Sequence, residues 1–266
     1  EVLRFLIVWI QTIISPLANS PINAFTISNF SGLAPPESAF LDPFTKHPTL
    51  SITCNIKDPI TAQPYTRDPR FLAQKAEQYL KSTGVADLSY WGPELEFYIF
   101  DHVSFDQTYN EGFYHVDSVE GAWNTGDNSQ QNLGYKPRYK EGYFPVAPMD
   151  HMQDIRSEMV KTLQQVDIEV EVHHHEVGTG GQAEIDMRYD SLTRMADKVL
   201  LYKYVVKNVG KNHGKTVTIF GGGDSALDWA IELSKNSKVN LVHRRDDFRG
   251  AQATVDKVHE LSKDGK

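Results

Sequence analysis

Apolar residues recur along this chain with two different periods, and the periods mark out its elements. Leu72, Ala73, Ala76, Tyr79 and Leu80 fall three and four residues apart, the spacing of one face of an α-helix. Asp68 stands before them as an N-cap, Pro69 takes the first helical position, and Gly84 follows the end. This segment is therefore expected to be a helix with one buried face. Met152, Ile155, Met159, Leu163 and Val166 predict a second helix, capped by Asp150. Leu192, Met195, Ala196, Val199 and Tyr202 or Val206 predict a third, which begins at Ser191 and stops at Gly210. The alternation of a strand runs through Leu88–Phe100 and through Ile168–His174. A turn and then a strand are expected over residues 42–56. Residues 101–148 hold only short alternating pieces among Asn, Asp and Gly and are expected to be rich in loops.

The two ends differ from this middle. From Phe5 to Ile10 the chain is apolar, but the run is diluted by Gln11, Thr12 and Ser15 and broken at Pro16. A membrane-spanning helix needs about 20 apolar residues, so a buried strand or short helix is expected, and no membrane association. At the other end, Val217–Phe220 reads as a strand, Leu227, Ala230, Ile231 and Leu233 as a helix, and Val239–His243 as a second strand. That is a βαβ pattern. The net charge of −8 argues against a general nucleic-acid binder. Tyr135–Lys140 interleaves aromatic and basic residues, but in an acidic chain it is expected to be a solvated loop or a local phosphate contact. The single cysteine, Cys54, suits a reducing, cytoplasmic setting.

Carboxylates supply the candidate chemistry. Glu94 and Glu96 are two apart on the predicted strand and would share a face, where like charges repel unless a cation or a basic group offsets them. Glu176 and Glu184 flank a turn containing Gly178, Gly180 and Gly181, and across it they could converge on one cation. His173, His174 and His175 precede that turn; on a strand they alternate sides and cannot all serve one metal.

These residues resemble a family. Asp42-Pro-Phe, Gly92-Pro-Glu-Leu-Glu-Phe-Tyr, Gly142-Tyr-Phe-Pro-Val-Ala-Pro, His174-His-Glu-Val-Gly-Thr-Gly-Gly-Gln-Ala-Glu and Leu201-Tyr-Lys-Tyr-Val-Val-Lys-Asn are similar to bacterial type I glutamine synthetase over residues 35–218. The resemblance implies an α+β fold: part of a catalytic core, mainly antiparallel sheet with helices. It implies an ATP-dependent ligase that joins ammonia to glutamate through γ-glutamyl phosphate, with Mg²⁺ or Mn²⁺. It would place Glu96, Glu176 and Glu184 on a first cation, Glu94 toward a second, and Tyr189 near the adenine. It also implies a homo-oligomeric ring of subunits. Later motifs of the family are missing from this sequence, so this chain is expected to be inactive.

The βαβ pattern carries its own resemblance. Gly221-Gly-Gly223-Asp-Ser-Ala226 lies between strand and helix, where backbone N–H groups can hold a pyrophosphate. Arg244, Arg245 and Arg249 stand where an NAD-specific fold would place an acid, and guanidinium groups there suit a 2′-phosphate. This segment is similar to the NADP-binding part of thioredoxin-reductase-like ferredoxin–NADP reductase, a flavoprotein oxidoreductase; nothing in the chain supports FAD. The expected organisation is residues 1–34 unassigned, 35–213 synthetase-like, and 214–266 a short Rossmann-like NADP-binding unit. Two resemblances in one chain suggest a composite: a chimera, a fused fragment or a stitched sequence. The alternatives to a ligase are accordingly an NADP-binding fragment and a non-catalytic composite.

Overall fold

The computed structural model describes residues 9–13, 36–58, 61–126 and 134–219. The predicted βαβ segment beyond residue 219 lies outside the described residues. Near the N-terminus, strand β1 (Trp9–Ile13) pairs antiparallel with β3 (Thr49–Thr53), which also pairs with the two-residue β2 (Phe40–Leu41). The apolar start of the chain thus supplies a strand, shifted a few residues from the apolar run itself.

Helix α1 (Pro69–Ser82) starts as predicted: the Asp68 carboxylate accepts from the Arg70 N–H, and Pro69 opens the first turn. The buried face is the correction. No residue of α1 is fully buried, and Leu72 and Tyr79 are 61% and 71% exposed. The docked face is instead polar. The Arg70 guanidinium grips Asp197, with Nε to Oδ1 at 3.0 Å and Nη2 to Oδ2 at 3.0 Å. Gln74 donates to Asn55, and Glu77 accepts from the Thr193 N–H and hydroxyl at 3.1 and 2.7 Å. Positions 70, 74 and 77 are also a helical stripe, so periodicity found the helix and mistook which stripe faces inward.

Short strand β4 (Tyr90–Trp91) is followed by β5 (Glu96–Phe100), so the predicted long strand is two pieces, with Glu94 in neither. Next come β6 (His102–Gln107) and β7 (Gly112–Asp117), an antiparallel hairpin within the stretch expected to be loop. Its signal is weak because most of the ribbon is exposed on both faces, so no clean apolar–polar alternation arises.

Helix α2 (Gln153–Gln165) begins without a side-chain cap. Asp150 is not its N-cap; it is buried in a bidentate pair with Arg156, one arm at 2.9 Å. A buried guanidinium demands a carboxylate more strongly than a helix end demands a cap. Strand β8 (Val170–His175) and β9 (Gln182–Met187) flank the Gly-rich turn, and short β10 (Asp190–Ser191) pairs with β4. Helix α3 (Leu192–Asn212) passes through Gly210 instead of stopping there. Gly210 is required by packing: a Cβ on it would collide with the Val217 side chain. The final described strand, β11 (Thr216–Ile219), completes a four-stranded sheet in the order β11-β5-β9-β8, with β5-β9 and β9-β8 antiparallel.

Period-two alternation in β5 and β9 separates two jobs. Phe97, Ile99, Ala183, Ile185 and Met187 are buried, as are Met159 and Leu163 of α2 and Met195, Tyr202, Val206 and Val209 of α3. Burying the Phe, Ile, Leu, Met and Val side chains contributes roughly 1.5–3 kcal/mol each. The opposite face carries Glu96 on β5 and Gln182, Glu184 and Asp186 on β9. No helix among the described residues is long and apolar enough to cross a membrane.

Candidate metal centre

Sheet register builds the site. Glu96 lies directly opposite Glu184, and Glu184 directly opposite His174, so the three form one row across β5, β9 and β8. Glu176, just past β8, turns its carboxylate into the same place. Oxygen atoms of Glu96, Glu176 and Glu184 all lie within 4.8 Å of one another. Three of the four acids singled out in the sequence are thus brought together. Glu94 is exposed and outside this group. Tyr189 is half-exposed beyond β9, edge-on to Tyr90 at 5.0 Å with the Arg188 guanidinium 5.5 Å from its ring. The residues read as dinucleotide-binding, Gly221, Gly223, Ala226, Arg244, Arg245 and Arg249, lie outside the described residues.

Electrostatics mark the cluster as short of positive charge. Burial, then Asp186, then the hydrogen bond and charge of Glu176 and the charge of Glu96 push the Glu184 carboxyl up to about 8. One oxygen of Asp186 is buried with no hydrogen-bond partner among the described residues. His174 is the histidine nearest the acids: its Nδ1 is 3.4 Å from Glu176 and its Nε2 3.6 Å from Glu184. Phe144 stacks on its ring at 4.5 Å and Tyr143 meets it edge-on. His173 faces Arg156 and Ser157 instead.

Sequence reasoning passed over two neighbours, Gln182 beside the acids and Glu120 behind His175. Gln182 donates from Nε2 to Glu96 at 2.7 Å and accepts from the Gly178 N–H at 2.5 Å, tying β5 to the turn. Glu120 is fully buried and bonds His175 Nε2 at 3.0 Å. His175 Nδ1 lies 2.7 Å from the Gly142 carbonyl and 2.6 Å from that of Glu176. Burial alone would lower the affinity of that ring for a proton; the hydrogen bond and charge of Glu120 and the two carbonyls outweigh it, and the His175 pKa is raised. Glu120 sits in the loop-rich stretch, about 55 residues from its partner, and no local pattern marks it.

The turn needs its glycines. Gly180 and Gly181 have φ of +86° and +84°, a region that side chains avoid. A Cβ on Gly180 would stand 2.7 Å from Trp123, and one on Gly181 2.7 Å from the Ile99 carbonyl. In Tyr135–Lys140, expected to be a solvated loop or a local phosphate contact, Lys136 donates to the Val119 carbonyl at 2.6 Å, and Arg138 pairs with Glu141 on the surface.

Comparison with known proteins decides the family. The description "Glutamine synthetase, catalytic domain" matches residues 66–222. The chain belongs to the glutamine synthetase family. A glutamine synthetase of Frankia alni is 57% identical over 187 residues, covering 70% of this chain and 40% of that protein. One from Nostoc sp. is 49% identical over 223 residues, covering 81% of this chain and 47% of that protein. Among solved structures, a cryo-EM structure of Plasmodium falciparum glutamine synthetase matches with a TM-score of 0.61 and 29% identity, over 68% of this chain and 36% of that one. The chain spans less than half the length of these relatives. The glutamine synthetase match runs past residue 214, where the sequence suggested a change of domain, and takes in Gly221. No comparison supports a fused reductase segment or NADP.

Proposed function

We propose that Glu96, Glu176 and Glu184 hold a divalent cation, Mg²⁺ or Mn²⁺. In this reading the chain contributes that part of a glutamine synthetase site, which uses ATP to join ammonia to glutamate through γ-glutamyl phosphate. The observation that carries the reading is the convergence of three carboxylates within 4.8 Å. No lysine or arginine is paired with them among the described salt bridges. An all-oxygen donor set suits a hard cation, and a cation would offset the repulsion that raises Glu184. When bound, such a cation neutralises phosphoryl oxygens during transfer.

The chain's own residues do the rest of what is visible here. Gln182 fixes the angle of Glu96, and the Gly180–Gly181 turn brings Glu176 and Glu184 to one side. Phe144 and Tyr143 limit the rotation of His174. Glu94 is proposed to serve a second cation and Tyr189 to lie near the adenine of ATP, both by family resemblance. Assembly into a ring of subunits is proposed on the same ground. Calorimetric titration of the chain with Mn²⁺ tests the reading. Glu184→Gln is expected to weaken binding at least tenfold; a wild-type chain that takes up no Mn²⁺, or a variant that binds equally, would sink it.

A further inference from the structure

We infer that Glu120 is a positioning residue for the cluster: through His175 it holds the Glu176 backbone and the Gly142–Phe144 segment against the carboxylates. The inference rests on the cation reading above. Glu120 contacts none of the cluster acids, yet its hydrogen bonds lead to the segments that surround them. Its carboxylate takes His175 Nε2 with one oxygen at 3.0 Å and the His151 N–H with the other at 2.5 Å. Its own carbonyl accepts from the Thr179 hydroxyl at 2.8 Å and the Gly180 N–H at 3.3 Å. One buried residue therefore anchors both the imidazole and the Gly-rich turn.

His175 passes the constraint on. Its Nδ1 is held between the carbonyls of Gly142 and Glu176, so the ring fixes the backbone from which the Glu176 carboxylate projects. The Gly142–Phe144 segment is stitched to the same backbone, with the Gly142 N–H on the Val177 carbonyl at 3.2 Å and the Phe144 N–H on the His175 carbonyl at 3.3 Å. Phe144 in turn stacks on His174, which lies between Glu176 and Glu184. Space is tight along this line: a Cβ on Gly142 would lie 2.8 Å from the Glu176 carbonyl and 3.0 Å from the His175 ring. Loss of the Glu120 acceptor frees the ring, and with it both Glu176 and the aromatic cover of His174.

The test compares the full chain with Glu120→Gln, which keeps the shape, and Glu120→Asp, which keeps the charge but not the reach. Mn²⁺ affinity is measured by calorimetry well below the unfolding midpoint, and amide exchange of Gly142 and Phe144 by NMR. Outer partners of metal ligands are worth about 10–100-fold in affinity, so Glu120→Gln is expected to weaken Mn²⁺ binding within that range and to speed exchange at both amides. A merely structural role would lower the melting temperature and leave the affinity of the folded variant within twofold of wild type; that result overturns the inference alone. A wild-type chain without Mn²⁺ binding overturns the cation reading and the inference together. Should Glu120→Gln not fold, His175→Gln cuts the same link and is judged by the same outcomes.

Discussion

Two groups of acids lie near the Gly-rich turn, one buried and one reaching from the buried Glu184 to the exposed Glu96, and they are built on opposite principles. Asp150 and Glu120 each have a dedicated partner of the same chain: Asp150 the guanidinium of Arg156, Glu120 the imidazole of His175. Glu96, Glu176 and Glu184 face mainly one another, with one histidine at 3.4 and 3.6 Å from two of them. An acid matched by its own chain serves the fold, because the desolvation of each charge is offset once the chain has closed. Acids left facing each other repel, which weakens the fold. His175, which matches Glu120, and Glu176, which faces other acids, are adjacent in the sequence.

Breaking a matched pair is expected to have the largest effect. Arg156→Met leaves Asp150 buried without its partner and should cost about 3–5 kcal/mol in urea unfolding. Replacing both, Asp150→Leu with Arg156→Met, should recover most of that loss, since an apolar pair of similar volume is often neutral or better. A double variant as unstable as the single one would show that the pair does more than satisfy itself.

Removing an unmatched acid should do the reverse. Above about pH 8, where the Glu184 carboxyl carries its charge, Glu184→Gln takes away a like charge directly across the ladder from Glu96, and stability without metal is expected to rise by roughly 0.2–1 kcal/mol. The same change should weaken Mn²⁺ at least tenfold, about 1.4 kcal/mol or more in binding. A loss of stability in metal-free Glu184→Gln would put Glu184 among the matched acids and collapse the contrast. At the start of α1, Asp68 is matched to backbone N–H groups and not to a cation; Asp68→Ala should cost about 1 kcal/mol by thermal unfolding. The smallest effect belongs to Arg188, whose pairs with Glu169 and Glu171 are half-exposed. Arg188→Ala is expected to change stability by less than about 1 kcal/mol, and added salt should erase the difference.

Sequence patterns read the helices, the alternation of the strand entering the turn, and the three acids that the fold brings together. They read these because each is a local property: a spacing of three or four, a spacing of two, a glycine pair where φ turns positive. The docked face of α1 was misread because Arg70, Gln74 and Glu77 form a stripe as regular as that of Leu72, Ala76 and Tyr79, and only α3 decides between them. The hairpin β6–β7 escaped because a ribbon exposed on both sides has no face to mark. Asp150 looked like a cap because nothing local shows a guanidinium arriving six residues later to claim it.

What the sequence determined alone is the family, the three helices and the carboxylates around a Gly-rich turn, since each is carried by local spacing and motif. Tertiary structure decided which acids meet and which are already satisfied. Glu96, 88 residues before Glu184, becomes its direct neighbour through strand register alone, and Glu120 finds His175 across the turn. Long-range pairing of this kind is set by how the sheet closes on its core, and no window of sequence contains it.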